Sequence, residues 1–411
     1  MQQAVESVFR EESGKIIAGL IRQFGDFDVA EEAMQDAMVA ALDHWSREGA
    51  PENPAAWITT TAKRKAIDRL RRGQTRRDFQ DAVVGGAPAA AVDEVDIESS
   101  FQDDRLPLIF TCCHPALRLD AQVVLTLRTL GGLTTPEIAR AFLVPETTLA
   151  QRLVRAKRKI REAKIPYRVP SKELLPQRLA AVLSVIYLVF NEGYSATAGD
   201  SLVRRDLSSE AIRLARLVCE LMPGKQELTG LLALLLLQDS RRDARVDAAG
   251  DLVVLEEQDR GKWDRAQIAE GLRLLEELGS VTDPGPYLLQ AAIAAEHARA
   301  QTADETDWSR IAAFYGALQR MQPSPVITLN RAAAVAMAQG CERGLALMDE
   351  LGQSGELDRY HLFHAARADL LRRLERNAEA ADCYRRALEF ATNEAERKYL
   401  GRRLQEVTSS H

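Results

Sequence analysis

Wound as a helix at about 100° per residue, the stretch PETTLAQRLVRAKRKI (residues 145–160) separates into two faces. Leu149, Leu153, Ala156 and Ile160 form a narrow apolar stripe, and Thr148, Gln151, Arg152, Arg155, Arg158 and Lys159 take the opposite side. Hydroxyl, amide and guanidinium groups so placed are not a catalytic set. They are the donors and acceptors that read base edges, with cations to neutralise phosphates. Just upstream, TPEIARAF (135–142) gives a shorter helix whose buried side is Ile138, Ala139 and Phe142. Leu143 and Val144 make the turn, and Pro145 suits the first turn of the second helix, where its missing N–H costs nothing. Two helices so joined form a helix-turn-helix, whose second helix can lie in a major groove. A solvated basic face on a surface helix explains the charge alone, but not the preceding helix and turn.

A second basic helix, AWITTTAKRKAIDRLRR (56–72), lines Ile58, Ala62, Ala66 and Leu70 along one side. Trp57, Thr61, Arg64, Arg71 and Arg72 turn away from that side, and Lys65 adds a further cation. An indole among cations suits single-stranded nucleic acid, offering a π-face to an unstacked base and charge to the backbone. Before it, DVAEEAMQDAMVAALDHW (28–45) is an amphipathic helix with Glu31, Glu32, Gln35 and Asp36 grouped early. An acidic patch beside a basic helix points to two partners of opposite charge, a basic protein surface and DNA.

Nothing in the chain assembles into a catalytic constellation, so no enzyme activity and no cofactor are expected. TCCHPAL (111–117) places Cys112 and Cys113 side by side, without the two-residue spacer of zinc sites and with no second Cys/His pair. A core position is expected for both, and no metal. FNEGYSAT (190–197), with Asn191, Glu192 and Tyr194, reads as a buried hydrogen-bonded corner or as a contact onto the basic helices. EEQDRGKWD (256–264) carries carboxylates and a Trp without a nucleophile–base pair, and His297, His361 and His364 read as packing or surface residues.

These segments sit in a chain of 411 residues with a net charge of −6 and a pI near 5.7, long enough for two or three domains. Its five scattered cysteines are no disulfide framework. The N-terminal stretch lacks a secretory pattern, and the apolar runs 179–190 and 228–237 fall short of the roughly 20 residues that cross a bilayer. A cytoplasmic protein with no membrane partner is expected. Apolar spacing of three and four residues throughout predicts an all-α fold. Small and acidic residues without a helical stripe at 73–104 predict a flexible linker, and prolines within 165–176 predict a second boundary. The expected blocks are 1–72, 105–164 and 172–411. In the last, Ala368, Ala380, Tyr384 and Ala387 fit a tetratricopeptide unit with its period of about 34 residues. That period sets Ala332, Ala334, Met337 and Ala346 against Ala366, Ala368, Leu371 and Ala380.

The order of DVAEEAMQDA, AWITTTAKRKAIDRLRR, an acidic linker and LTTPEIARAFLVPETTLAQRLVRAKRKI resembles a bacterial RNA polymerase sigma factor of the extracytoplasmic-function class, which keeps regions two and four. The remaining block resembles the subgroup with a large tetratricopeptide-like C-terminal extension. The resemblance implies core RNA polymerase and promoter DNA as partners. It places Glu31, Glu32, Gln35 and Asp36 on the β′ coiled coil, and region four on the β flap. Trp57, Thr61, Arg64, Lys65, Arg71 and Arg72 fall on the helix that opens and holds the −10 element, with loop 46–54 capturing a flipped base. Thr147, Thr148, Gln151, Arg152, Arg155, Arg158 and Lys159 fall on the helix that reads the −35 element. Arg64 stands where the family often has Asn, so no −10 base preference carries over. A protein or peptide ligand is expected for the C-terminal block. Two other readings stay open: a helix-turn-helix regulator acting without polymerase, which leaves 28–72 without a role, and a helical-repeat scaffold, which leaves the order of the two basic helices without a reason.

Overall fold

The computed structural model describes residues 2–84, 104–142, 144–194, 205–247 and 251–409. Among them the chain is helical, as the apolar spacing predicts, and β pairing is confined to a single bridge between Val246 and Leu252. The chain divides into two compact units, Met1–Val185 and Ile186–His411.

The first unit opens with α1 (Gln2–Phe24), α2 (Phe27–Glu48) and α3 (Pro54–Val84). Asp26 starts α2: its carboxylate accepts from the N–H groups of Asp28 at 2.8 Å and Val29 at 3.1 Å, satisfying donors that a helix start leaves unpaired. Gly49, at φ 86°, ends it by donating to the Trp45 carbonyl. Ala30, Ala33, Ala37 and Ala41 are buried on α2, and Ile58, Ala62 and Ala66 on α3, which packs against it. Small side chains there bring the two backbones close. The far end of α3 differs from the sequence expectation. It runs on through Gly73 to Val84, because QTRRDFQDAVV supplies Gln, Arg and Ala without a proline to stop it. The remainder of the expected linker, 85–103, lies outside the described residues.

α4 (Arg105–Cys112), α5 (Leu119–Thr129), α6 (Thr135–Ala141) and α7 (Glu146–Glu162) follow, then α8 (Leu175–Tyr194). The division between units falls inside α8, and not in the proline-containing segment 165–176. That segment is tied back: the Tyr167 hydroxyl reaches the Ala18 carbonyl at 2.8 Å, and Arg178 Nη2 donates to the Phe110 carbonyl of α4. Cys112 and Cys113 are buried as expected, their Sγ atoms 3.3 Å from Thr129 Oγ1 and 3.5 Å from Thr126 Oγ1. Burial raises both thiol pKa values, that of Cys113 to about 12.

The second unit holds the rest of α8 and α9 (Arg205–Leu221), α10 (Gln226–Asp239), α11 (Arg265–Leu278), α12 (Pro286–Arg299), α13 (Trp308–Met321), α14 (Pro325–Gln339), α15 (Cys341–Gly352), α16 (His361–Arg373), α17 (Asn377–Phe390) and α18 (Glu394–Ser409). The leucine run 228–237 makes α10 a central helix packed on α9, α11 and α12. At Gly230 a Cβ would stand 2.9 Å from the Leu288 backbone, so glycine allows the α10–α12 crossing. α14–α15 and α16–α17 are successive hairpins around a shared core of Ala332, Ala336, Met348, Ala368, Leu371, Ala380 and Tyr384. Both helices of the second hairpin start 36 residues after those of the first. Ala332 therefore corresponds to Ala368 and not to Ala366, and Gly344 to Ala380. No described helix is long and apolar enough to cross a membrane.

Candidate nucleic-acid interface

The helix-turn-helix is built by local capping. Thr134 and Glu137 form a reciprocal box at the start of α6: the Glu137 carboxylate accepts from the Thr134 N–H and hydroxyl, each at 2.7 Å, and Thr134 Oγ1 accepts from the Glu137 N–H at 3.4 Å. The turn closes with the Val144 N–H on the Ala139 carbonyl at 3.1 Å. Pro145 takes the cap position of α7, with φ −57° and ψ 138°, one residue ahead of the first turn that the sequence suggested. Leu149, Leu153, Ala156 and Ile160 are buried, as the periodicity predicts. Thr147, Gln151, Arg155, Arg158 and Lys159 are exposed, and Thr148 and Arg152 are half-buried. Arg158 pairs with Glu162 at 3.6 Å, and Arg152 Nε lies 3.8 Å from the Asp120 carboxylate of α5. Val154, which the sequence reading passed over, is 65% exposed among these polar residues, an apolar contact of the kind that meets a thymine methyl.

On α3, Arg64, Arg71 and Arg72 are exposed, while Trp57, Thr61 and Lys65 are half-buried. One face of Trp57 stacks on His44, with ring centroids 5.4 Å apart, and Trp57 and Trp45 form a T-shaped pair with centroids 5.7 Å apart. Lys63 belongs to the same basic run but turns inward, 1% exposed. Type and position in the run are therefore not enough to assign a cation to the surface.

The acidic group on α2 is split three ways. Gln35 faces solvent. Glu32 and Asp36 are gripped by Arg69 of α3, whose Nη2 lies 2.8 Å from the Asp36 carboxylate. These bonds, that to Asp36 first, hold the guanidinium still more firmly in its charged form. Glu31 points to the other side, 3.1 Å from Lys157 Nζ of α7 and 3.6 Å from Arg128 Nε of α5, with its side chain only 11% exposed. Asp28 completes the contact at 2.9 Å from Lys157 and 3.6 Å from Arg161. Asp28 and Glu31 of α2 are thus ion-paired to the last turns of the basic helix α7. Asp28, Arg69, Arg128 and Arg161 carry no role in the sequence analysis, and Lys157, which stands with Lys159 among the late cations suited to phosphate, instead meets Asp28 and Glu31. A signal for two of them was present, since Lys157 follows Leu153 by one turn and Arg161 follows Lys157 by one more, so a cationic edge runs beside the apolar stripe.

Residues 8–77 match the sigma-70 region 2 family and residues 108–160 the sigma-70 region 4 family. The first match spans α1 to α3 and the second α4 to α7. Residues 178–278 match DUF6596, a family of unknown function. The two sigma-70 regions, in sigma order and followed by a helical C-terminal region, support an ECF-like sigma factor with a C-terminal extension. An uncharacterized protein of Rhizobium meliloti is 43% identical over 403 residues, covering 96% of this chain and 93% of that one. The probable ECF RNA polymerase sigma factor SigI of Mycobacterium tuberculosis is 27% identical over 167 residues, 39% of this chain and 56% of the relative. No solved structure matches.

Proposed function

We propose that this chain is a transcription initiation factor of the cytoplasm that binds core RNA polymerase, reads the −35 element with α7 and holds the opened −10 element with α3. The observation that carries the reading is the order of the two matched sigma regions, with the outer face of α7 exposed for a major groove. In this reading Thr147, Thr148, Gln151, Arg152 and Arg155 meet base edges, and Arg158 and Lys159 meet phosphates. Trp57, Thr61, Arg64, Lys65, Arg71 and Arg72 take the melted strand. Glu31, Glu32, Gln35 and Asp36 grip the basic β′ coiled coil, and region four meets the β flap. Template-directed synthesis is the polymerase's, so the chain is not itself an enzyme. The second unit, with its successive hairpins, modulates initiation in cis and presents a surface to a protein or peptide ligand.

The ion pairs between α2 and α7 give this function a closed starting state. Elements whose names set them about 25 base pairs apart span on the order of 85 Å of duplex at about 3.4 Å per pair. A compact unit of 185 residues has a radius of gyration of about 16 Å. Reading both elements together therefore needs Lys157 and Arg161 to leave Asp28 and Glu31, and the basic polymerase surface replaces them. High-affinity promoter binding is then a property of the holoenzyme. Footprinting of a promoter fragment by the free chain and by the chain with core polymerase tests this. Protection of both elements only with polymerase supports the reading, and tight specific protection by the free chain favours an operator-binding regulator.

A further inference from the structure

Two sequence motifs that the sigma reading leaves without a task meet in the second unit. Tyr194, from FNEGY, ends α8, and Arg260 and Trp263, from EEQDRGKWD, precede α11. Between them come Arg241 and Arg245, just after α10. The Arg241 Nη2 donates to the Tyr194 hydroxyl at 2.7 Å, and its guanidinium lies 5.9 Å from both the Tyr194 and Trp263 rings. The Arg245 guanidinium lies 3.8 Å over the Tyr194 ring and donates to the Tyr194 carbonyl. The Arg260 guanidinium lies 4.7 Å over Trp263 and donates to the carbonyls of His297 and Ala300, each at 2.6 Å.

Three guanidinium groups thus gather on two aromatic rings, and among the described residues none has a carboxylate within 4.0 Å. Glu396 towards Arg245 and Glu305 towards Arg260 act only from further off. Cations brought together with so little compensation repel one another and lose hydration. Two of the three have structural work: Arg245 caps the end of α8, and Arg260 closes the end of α12. Arg241 caps no carbonyl. Around it, two buried polar atoms have no hydrogen-bond partner among the described residues, Nε1 of Trp263, a residue 3% exposed, and Nδ1 of His297. Burial first, then Arg241 and Arg260, hold His297 neutral, with its pKa at about 3. Cationic donors, an orphaned indole N–H and a neutral imidazole share one place with no carboxylate in ion-pair contact among the described residues.

We propose that this cluster is a binding site for a small oxyanion, a carboxylate or phosphate group of a metabolite-sized ligand, centred on Arg241. A guanidinium matches either group with paired N–H donors, and the bound charge supplies the missing counterion for all three arginines. The site is complete within residues 194–297, so it stands or falls independently of the sigma reading. It would let a small anion stabilise the second unit by mass action.

The test uses the full chain, titrated by calorimetry with inorganic phosphate and with acetate, each against chloride at matched ionic strength. Wild type, Arg241→Gln and the surface control Arg273→Gln are compared, and thermal unfolding of each protein is followed without ligand. The site requires saturable binding of at least one oxyanion by wild type and the control, weakened by about ten-fold or more in Arg241→Gln. It also requires an unliganded Arg241→Gln protein at least as heat-stable as wild type, because one of three repelling cations is gone. A variant that is less stable and binds as wild type does, or a wild type that saturates with neither anion, overturns the proposal and leaves a purely structural cluster.

Discussion

Arg152 and Lys159 lie on the same basic face of α7, and the proposed function gives them different tasks, base edge and phosphate. Arg152 stands early in the helix, half-buried and held near the Asp120 carboxylate at 3.8 Å, so its fork is already oriented. Replacing it with Ala should relax −35 preference at one position and cost about 1–3 kcal/mol in promoter binding by the holoenzyme. Lys159 is exposed near the end of α7, and its replacement should weaken all sequences alike and reduce the salt slope by about one. Binding isotherms across promoter variants and salt concentrations separate the two. His297 supports a different prediction. Its folded-state pKa near 3 lies below the ordinary value of about 6.5, so the unfolded chain takes up the proton first. Its contribution is full above about pH 6.5 and fades as pH falls towards 3. The stability of a His297→Gln variant should decline less steeply over that window, measured by urea unfolding at stepped pH. At this scale the sequence was legible where a residue's work depends on its own helix. The apolar stripe Leu149–Ile160 needed only periodicity. The inward turn of Lys63 needed a neighbouring helix, and no local pattern distinguishes it from Arg64.

At the scale of elements, α2 and α7 were each legible but their pairing was not, because ion pairs between segments more than 100 residues apart leave no spacing to read. Helix ends were legible where capping chemistry is local, as at Thr134–Glu137, and not where a boundary rested on composition, as at Gly73. The repeat offset was misread by two residues because the segment joining α15 to α16 fixes it, and neither helix carries that information. The α2–α7 contact has a measurable consequence. Lys157 is only 11% exposed and shared by two carboxylates, and Arg128 remains beside Glu31 when it is removed. Lys157→Glu should therefore destabilise the free chain by about 1–3 kcal/mol. The same substitution should strengthen core polymerase binding, since Asp28 and Glu31 lose their Lys157 partner before encounter. Denaturant unfolding reads the first effect and fluorescence anisotropy with labelled chain reads the second. Weaker polymerase binding by this variant would mean that the contact is retained in the holoenzyme.

For the whole molecule, the two units set what a truncation can show. Residues 175–185 of α8 belong to the first unit, where Arg178 holds the end of α4, so a cut at 172 would damage region four as well as remove the second unit. A chain ending at Val185 keeps that brace. It should bind core polymerase through α2 nearly as well as the full chain, and lose promoter-specific transcription if the second unit braces the initiation complex. Transcription equal to or above that of the full chain would instead show autoinhibition. The all-α class was legible because it rests on periodicity along single helices, and the order of the two sigma regions because the segments 28–37, 56–72 and 133–160 resemble the family in sequence. The cationic cluster around Arg241 was legible only as two unrelated motifs, since folding brings Tyr194 and Trp263 together from opposite ends of α9 and α10. The central claim, that this chain directs core polymerase to promoters, is tested most directly by run-off transcription on a library of genomic fragments with purified core polymerase. The account predicts discrete transcripts that appear only when the full chain is added and vanish with the double variant Glu32→Lys, Asp36→Lys. A transcript pattern identical with and without the chain would contradict it.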